Sequence, residues 1–162
     1  MRSAVLLVCV LLLTGCGGGS TARAHGVRLT LPHGWQRVAP AADSSVQDPR
    51  TLLVAGTAGV AAKPHRCQIA AYRVQPRGAV VVVVGWKSVA SGGAHPPPGR
   101  APLDHLVSVH RPSFECFSGR GAAATVLLGG RLYQVNVMVG DRAGPRAVAQ
   151  ALAVGRSFDR AR

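Results

Sequence analysis

Hydrophobic and polar positions alternate first in VRLTL, where Val27, Leu29 and Leu31 fall on one side and Arg28 and Thr30 on the other. A period of two predicts a half-buried strand, and Pro32 and Gly34 end it in a turn. Trp35 is expected at the core edge beside Val38, with ligand stacking as the sharper alternative. A polar, turn-rich stretch follows, then a second strand over residues 52–56. In AVVVVVGWK the alternation disappears. Five consecutive valines predict a central strand buried on both faces, far too short to cross a membrane. Gly85 marks a bulge or a close packing approach.

The pattern is mixed over residues 60–78. Pro64 can open a short helix over residues 66–74, with Ile69, Ala70 and Arg73 near one face, stopped by Pro76 and Gly78. A loop of about 15 residues contains Pro96, Pro97 and Pro98, and that length is unusual in a compact domain. LDHLVSVHRPSFECF reads as two short strands split by Pro112. The hairpin signal is plainer: residues 123–128, the pair Gly129-Gly130, then residues 132–139. Tyr133, Val135, Val137 and Val139 should face the core, with Leu132, Gln134, Asn136 and Met138 on the other side. A last helix opens at Pro145, carries Val148, Ala149 and Leu152 as its apolar stripe, and ends at Gly155. Phe158 then folds back onto the sheet. The pattern as a whole predicts one α+β domain: an antiparallel β-sheet packed against a C-terminal α-helix, with one further short helix.

The N-terminal pattern is different. Arg2 precedes about ten apolar residues and then small ones, the layout of a secretory signal. Leu13-Thr14-Gly15-Cys16 resembles the lipobox of bacterial lipoproteins. The resemblance implies cleavage before Cys16 and a diacylglycerol on its thiol, with an ordinary cleaved signal as the plainer alternative. Residues 1–15 are then the signal peptide, residues 16–26 a lipidated cysteine and flexible Gly/Ser tether spanning roughly 17 Å, and residues 27–162 the globular domain. The series LPHGW, GAVVVVVGW, FECF, GRLYQVNVMVG and AVAQAL is similar to small secreted or lipid-anchored domains of high-GC Gram-positive bacteria. That resemblance implies one α+β domain and carries over no catalytic residue.

Composition adds charge. The chain has a formal net charge of +13, and loss of Arg2 with the signal changes it little. Arginine supplies 17 of the 19 cations. With abundant Ala, Gly and Pro, this fits the amino-acid usage of a GC-rich genome. It also suits attraction to anionic lipid headgroups or wall polymers. The arginines are scattered and form no run of nucleic-acid-arm density, so no nucleic acid is expected as a partner.

Candidate chemistry is sparse. Cys67 and Cys116 remain after processing, an even number in an oxidising compartment, and a disulfide is expected. Two free buried thiols, or metal ligation with His65 and His110, are the rivals. There is no G-x-S-x-G elbow and no H-E-x-x-H, and Glu115 is the only glutamate. Asp43, Asp48, Asp104, Asp141 and Asp159 form no obvious pair. The histidines follow no metal-ligand spacing. Asp104 and His105 invite a dyad, but neighbours on a strand point to opposite faces. The expectation is a non-enzymatic lipoprotein without cofactor or metal, on the extracytoplasmic face of the cell membrane, acting as a binding or scaffolding module. The alternative is an envelope carrier of a small ligand or metal, with its pocket between sheet and helix.

Overall fold

The computed structural model of the chain describes residues 19–41, 48–63, 67–87, 96–111 and 116–162. Among the described residues, ten strands and one α-helix run in the order β1 (Ser20–Ala24), β2 (Val27–Leu31), β3 (Trp35–Arg37), β4 (Arg50–Thr57), β5 (Ala61–Ala62), β6 (Tyr72–Arg73), β7 (Ala79–Gly85), β8 (Arg120–Leu128), β9 (Arg131–Val139), α1 (Pro145–Arg156) and β10 (Asp159–Arg160). A short 3-10 helix, Ala101–His105, precedes β8. The main sheet has the order β3-β4-β7-β9-β8, antiparallel throughout. A smaller sheet, β1-β2-β10, packs with α1 over one face. The result is a single α+β domain.

The valine run lies where its pattern predicts. β7 is the middle strand and every residue in it is buried. Val81 and Val83 point into the core beneath α1 and the smaller sheet, while Val80, Val82 and Val84 point to the opposite face. That second face is covered by Val60, Cys67, Ala70, Ala71 and Tyr72. A disulfide between Cys67 and Cys116, with Cα atoms 6.3 Å apart, ties this layer to the approach to β8. The Tyr72 hydroxyl accepts the Ala41 amide at 3.2 Å. Burial pushes its phenol above the ordinary tyrosine range, and that amide pulls it partly back.

The β8–β9 hairpin turns at Gly129 and Gly130, at φ 56° and 71°. Both central residues of such a turn need the left-handed region, which glycine enters freely. Tyr133, Val135, Val137 and Val139 face the principal core as the alternation predicts. The other side is not simply polar: Met138 joins the second core and Asn136 is completely buried. Asn136 donates through Nδ2 to the Val82 carbonyl at 3.3 Å, while its Oδ1 has no partner among the described residues. An unpaired buried acceptor costs about 1–3 kcal/mol. Asn136→Val is therefore expected to raise stability by about 1 kcal/mol, visible as a higher urea midpoint at unchanged slope. A lower midpoint would show that the amide is needed where it stands.

Several expectations are corrected. The flexible tether was placed over residues 16–26, yet residues 20–24 form β1, paired with β2 from Ser20↔Leu31 to Ala24↔Val27. Its weak hydropathy hides it, since only Ala22 is fully buried and the strand is held chiefly by backbone pairing. No helix occupies the described part of residues 66–74: residues 69–70 form a turn, and β6 pairs with β5. Packing onto the valine face overrides helix propensity there. The first strand expected after the proline loop is the 3-10 helix instead. Trp35 and Val38 lie on opposite sides of the sheet, as residues three apart in extended chain must. Helix α1 begins at Pro145 as expected but runs through Gly155 to Arg156. Its buried stripe is Ala151, Leu152, Val154 and Gly155, with Ala149 exposed. Gly155 is a packing residue: a Cβ there would lie 2.7 Å from Val137 Cγ2 and 3.2 Å from Leu106 Cδ1. The absent side chain lets the helix approach β9.

Candidate functional site

At one end of the main sheet, Arg50, Gly85 and Tyr133 form one row across β4, β7 and β9. Residues directly opposite in antiparallel strands point to the same face. Gly85 therefore leaves a gap between two large side chains. A Cβ at Gly85 would meet Leu52 Cδ1 at 2.6 Å and Tyr133 Cδ1 at 3.2 Å. The gap is the floor of a cleft of about 240 Å³, whose rim includes His25, Lys87 and Arg131.

Local sequence places each group. His25 and Gly26 form the tight turn between β1 and β2, at φ 47° and 74°. That turn brings His25 Nδ1 to 2.9 Å from Arg50 Nη2. A guanidinium only donates, so Nδ1 is the acceptor and the neutral ring carries its hydrogen on Nε2. Arg131 follows the hairpin turn directly, and Lys87 follows β7. Tyr133 is held by Phe158, with ring centroids 5.3 Å apart at 55°. Its hydroxyl has no hydrogen-bond partner among the described residues. An acid also stands here: Asp48 Oδ1 accepts the Lys87 backbone amide at 2.9 Å.

Further cations continue from the rim. The Arg160 guanidinium lies against the open face of Gly129. Arg28 and Arg100 reach Asp159 at 2.8 and 3.6 Å. The hydrogen bond from Arg28 holds the Asp159 carboxyl below its usual range, against a small opposing effect of burial. These pairs are partly exposed to solvent, which screens them, and they contribute little to stability.

The cleft lies far from the chain's entry into the fold. Ser20 stands opposite Leu31, and the β2–β3 turn leads to Trp35 opposite Thr57, the far end of β4 from Arg50. β1 alone spans about 13 Å at ~3.3 Å per residue. At the entry end, Arg77 and Arg142 are exposed, and the Arg142 amide donates to the Pro76 carbonyl at 2.7 Å.

Of the residues weighed for chemistry in the sequence, the described cysteines, Asp104, His105 and His110 do not line the cleft. Cys16, His65, His95, Asp43 and Glu115 lie outside the described residues, as do Pro64 and Pro112. Cys67 and Cys116 form the disulfide, so metal ligation by these thiols is set aside. Asp104 and His105 are exposed on the 3-10 helix, and exposed His110 pairs through Nε2 with Ser108 Oγ at 2.9 Å. Among the described residues, no three His, Cys, Asp or Glu side chains meet as a metal site, and no helix is long and apolar enough to cross a membrane. Trp35 is buried, its Nε1 without a partner among the described residues. Between α1 and β2, where a ligand pocket was expected, there is an open apolar groove of about 240 Å³ along Leu31, Pro32, Ala153 and Val154. The cleft itself was missed. Its one signal in the sequence was Gly85 breaking the valine run. No family model matches the chain and no curated protein matches it, so the cleft is interpreted from its own chemistry.

Proposed function

We propose that this protein is a lipid-anchored, non-enzymatic binding module of the cell envelope, fixed to the extracytoplasmic face of the membrane through Cys16. The observation that carries the binding role is the basic cleft: Arg50 from β4, Lys87 from the segment after β7 and Arg131 from β9 line it, over a floor opened by Gly85. It offers donors and positive charge but no nucleophile–base pair, since His25 Nδ1 is taken up by Arg50. Such a site holds an anion rather than cleaving a bond.

The anchor rests on the lipobox resemblance. β1 shortens the tether to the steps from Cys16 to Gly19, at most about 10 Å fully extended. The entry end of the domain then lies against the headgroups, with Arg77 and Arg142 on that side, where each cation near an anionic surface contributes about 1 kcal/mol. An intact mass spectrum of the protein extracted from its own membranes tests this reading. A chain beginning at Cys16 with a diacylglyceryl-sized addition is expected. An unlipidated mature chain would leave a secreted protein and end the membrane reading.

A further inference from the structure

We propose that the cleft and the neighbouring Arg160 bind a phosphodiester-linked wall polymer, one phosphate seated among Arg50, Lys87 and Arg131, and not the headgroups of the membrane. The inference rests on the anchored reading above and names the ligand of the same site.

Three features of the geometry select this ligand. The first is shape. A carboxylate is planar and is satisfied by one guanidinium fork. Here the cations come from the start of β4, the segment just past β7 and the start of β9 around one space. A tetrahedral phosphate presents oxygens in several directions and fits donors that converge from three sides. The Tyr133 hydroxyl and the His25 Nε2–H add neutral donors suited to phosphate or polyol oxygens.

Size is the second. About 240 Å³ lies below the ~300–1,000 Å³ of pockets for larger small molecules. It suits one repeating unit, such as a polyol phosphate. Arg160, whose guanidinium lies over Gly129, offers a second positive position beside the hairpin turn, whereas Arg28 and Arg100, paired with Asp159, lie on the other face of the smaller sheet. A chain of phosphates can reach both the cleft and Arg160, whereas a lone phosphate compound would use only the cleft.

Distance is the third. β1 sets the cleft about 13 Å beyond the entry end, more than the screening length of about 8 Å at physiological salt. Headgroup attraction is weak at that range. A nucleic acid shares the phosphates, but the two aromatic rings of the lining are held elsewhere, Tyr133 against Phe158 and Trp86 against the second core, so they form no series of faces on which a single strand stacks.

The test is calorimetric titration of the membrane-extracted full chain in neutral detergent with poly(glycerol phosphate). Polygalacturonate, a single-stranded DNA oligonucleotide and phosphatidylglycerol vesicles serve as comparison ligands. Saturable binding is expected, weakening with added salt. Arg50→Gln/Arg131→Gln is expected to weaken it at least tenfold with an unchanged unfolding midpoint. Arg77→Gln/Arg142→Gln, at the other end of the sheet, should leave it within twofold. Arg50→Lys/Arg131→Lys should fall between, because charge is kept and the forks are lost. Equal binding by both glutamine pairs would overturn the site. Equal or tighter binding of polygalacturonate, DNA or vesicles would overturn the ligand class. A missing lipid in the mass spectrum would count against the anchor alone, because the titration reads the cleft whether or not Cys16 is modified.

Discussion

Phe158→Ala is expected to cost about 3–5 kcal/mol of folding stability, the range for deleting a fully buried aromatic side chain. Phe158 is wholly excluded from solvent in a chain with only seven Phe, Trp and Tyr residues. It sits where the chain leaves α1 for β10, closing the core against β9. Its ring meets Tyr133 in a tilted arrangement, and such pairs contribute about 0.5–1.5 kcal/mol beyond area burial. With domain stabilities of about 5–15 kcal/mol, one substitution removes a large share. Phe158→Leu retains most of the volume and should lose less than half as much. Urea denaturation of the two variants separates cavity from ring contact. A loss below about 1 kcal/mol in the alanine variant would show that the core closes without this ring. The same change should also weaken anion binding, because it frees Tyr133 in the floor of the cleft.

Reduction of the Cys67–Cys116 bond is the second large effect. The bond joins residues 49 apart, and loop-closure entropy for that separation gives a loss of up to about 4 kcal/mol on cutting it. The damage should be uneven. Cys67 belongs to the layer over Val80, Val82 and Val84, which holds few backbone pairings of its own: the two-residue strands β5 and β6 and the amide of Lys63 on the Ala71 carbonyl at 2.9 Å. The β7–β9 ladder runs for seven paired positions beneath it. Hydrogen exchange under reducing conditions should therefore show protection lost at Lys63 while the amides of β7 and β9 stay protected. Coincident unfolding curves for oxidised and reduced protein would remove the bond from the account of stability.

The parts legible in the sequence are those set by local pattern. The valine run, the Gly129-Gly130 turn and Pro145 at a helix start each carry their structural meaning within a few residues, through burial on both faces, left-handed backbone and a dispensable amide. The same locality explains the misses. β1 is a strand because β2 supplies its partners, and Ser20–Ala24 shows little of this in its own hydropathy. His25-Gly26 was the available hint, as a two-residue turn, and it reads equally well as the end of a flexible segment. Residues 69–73 have helical spacing, but they lie on a valine face that was already extended. Gly155 resembles a helix stop, and only the closeness of Val137 reveals it as a contact.

By itself, then, the sequence determined an α+β domain, its central strand, its hairpin and its closing helix, because side-chain burial and turn chemistry act over short stretches of chain. It also carried the lipobox resemblance and the pair of cysteines. Tertiary structure decided which cations share a space. Arg50, Gly85 and Tyr133 are separated by 35 and 48 positions in the chain and become neighbours only through strand register. His25 reaches them only because β1 pairs with β2. Scattered charge becomes a site when the sheet aligns it, and register depends on contacts between distant segments that no local pattern contains.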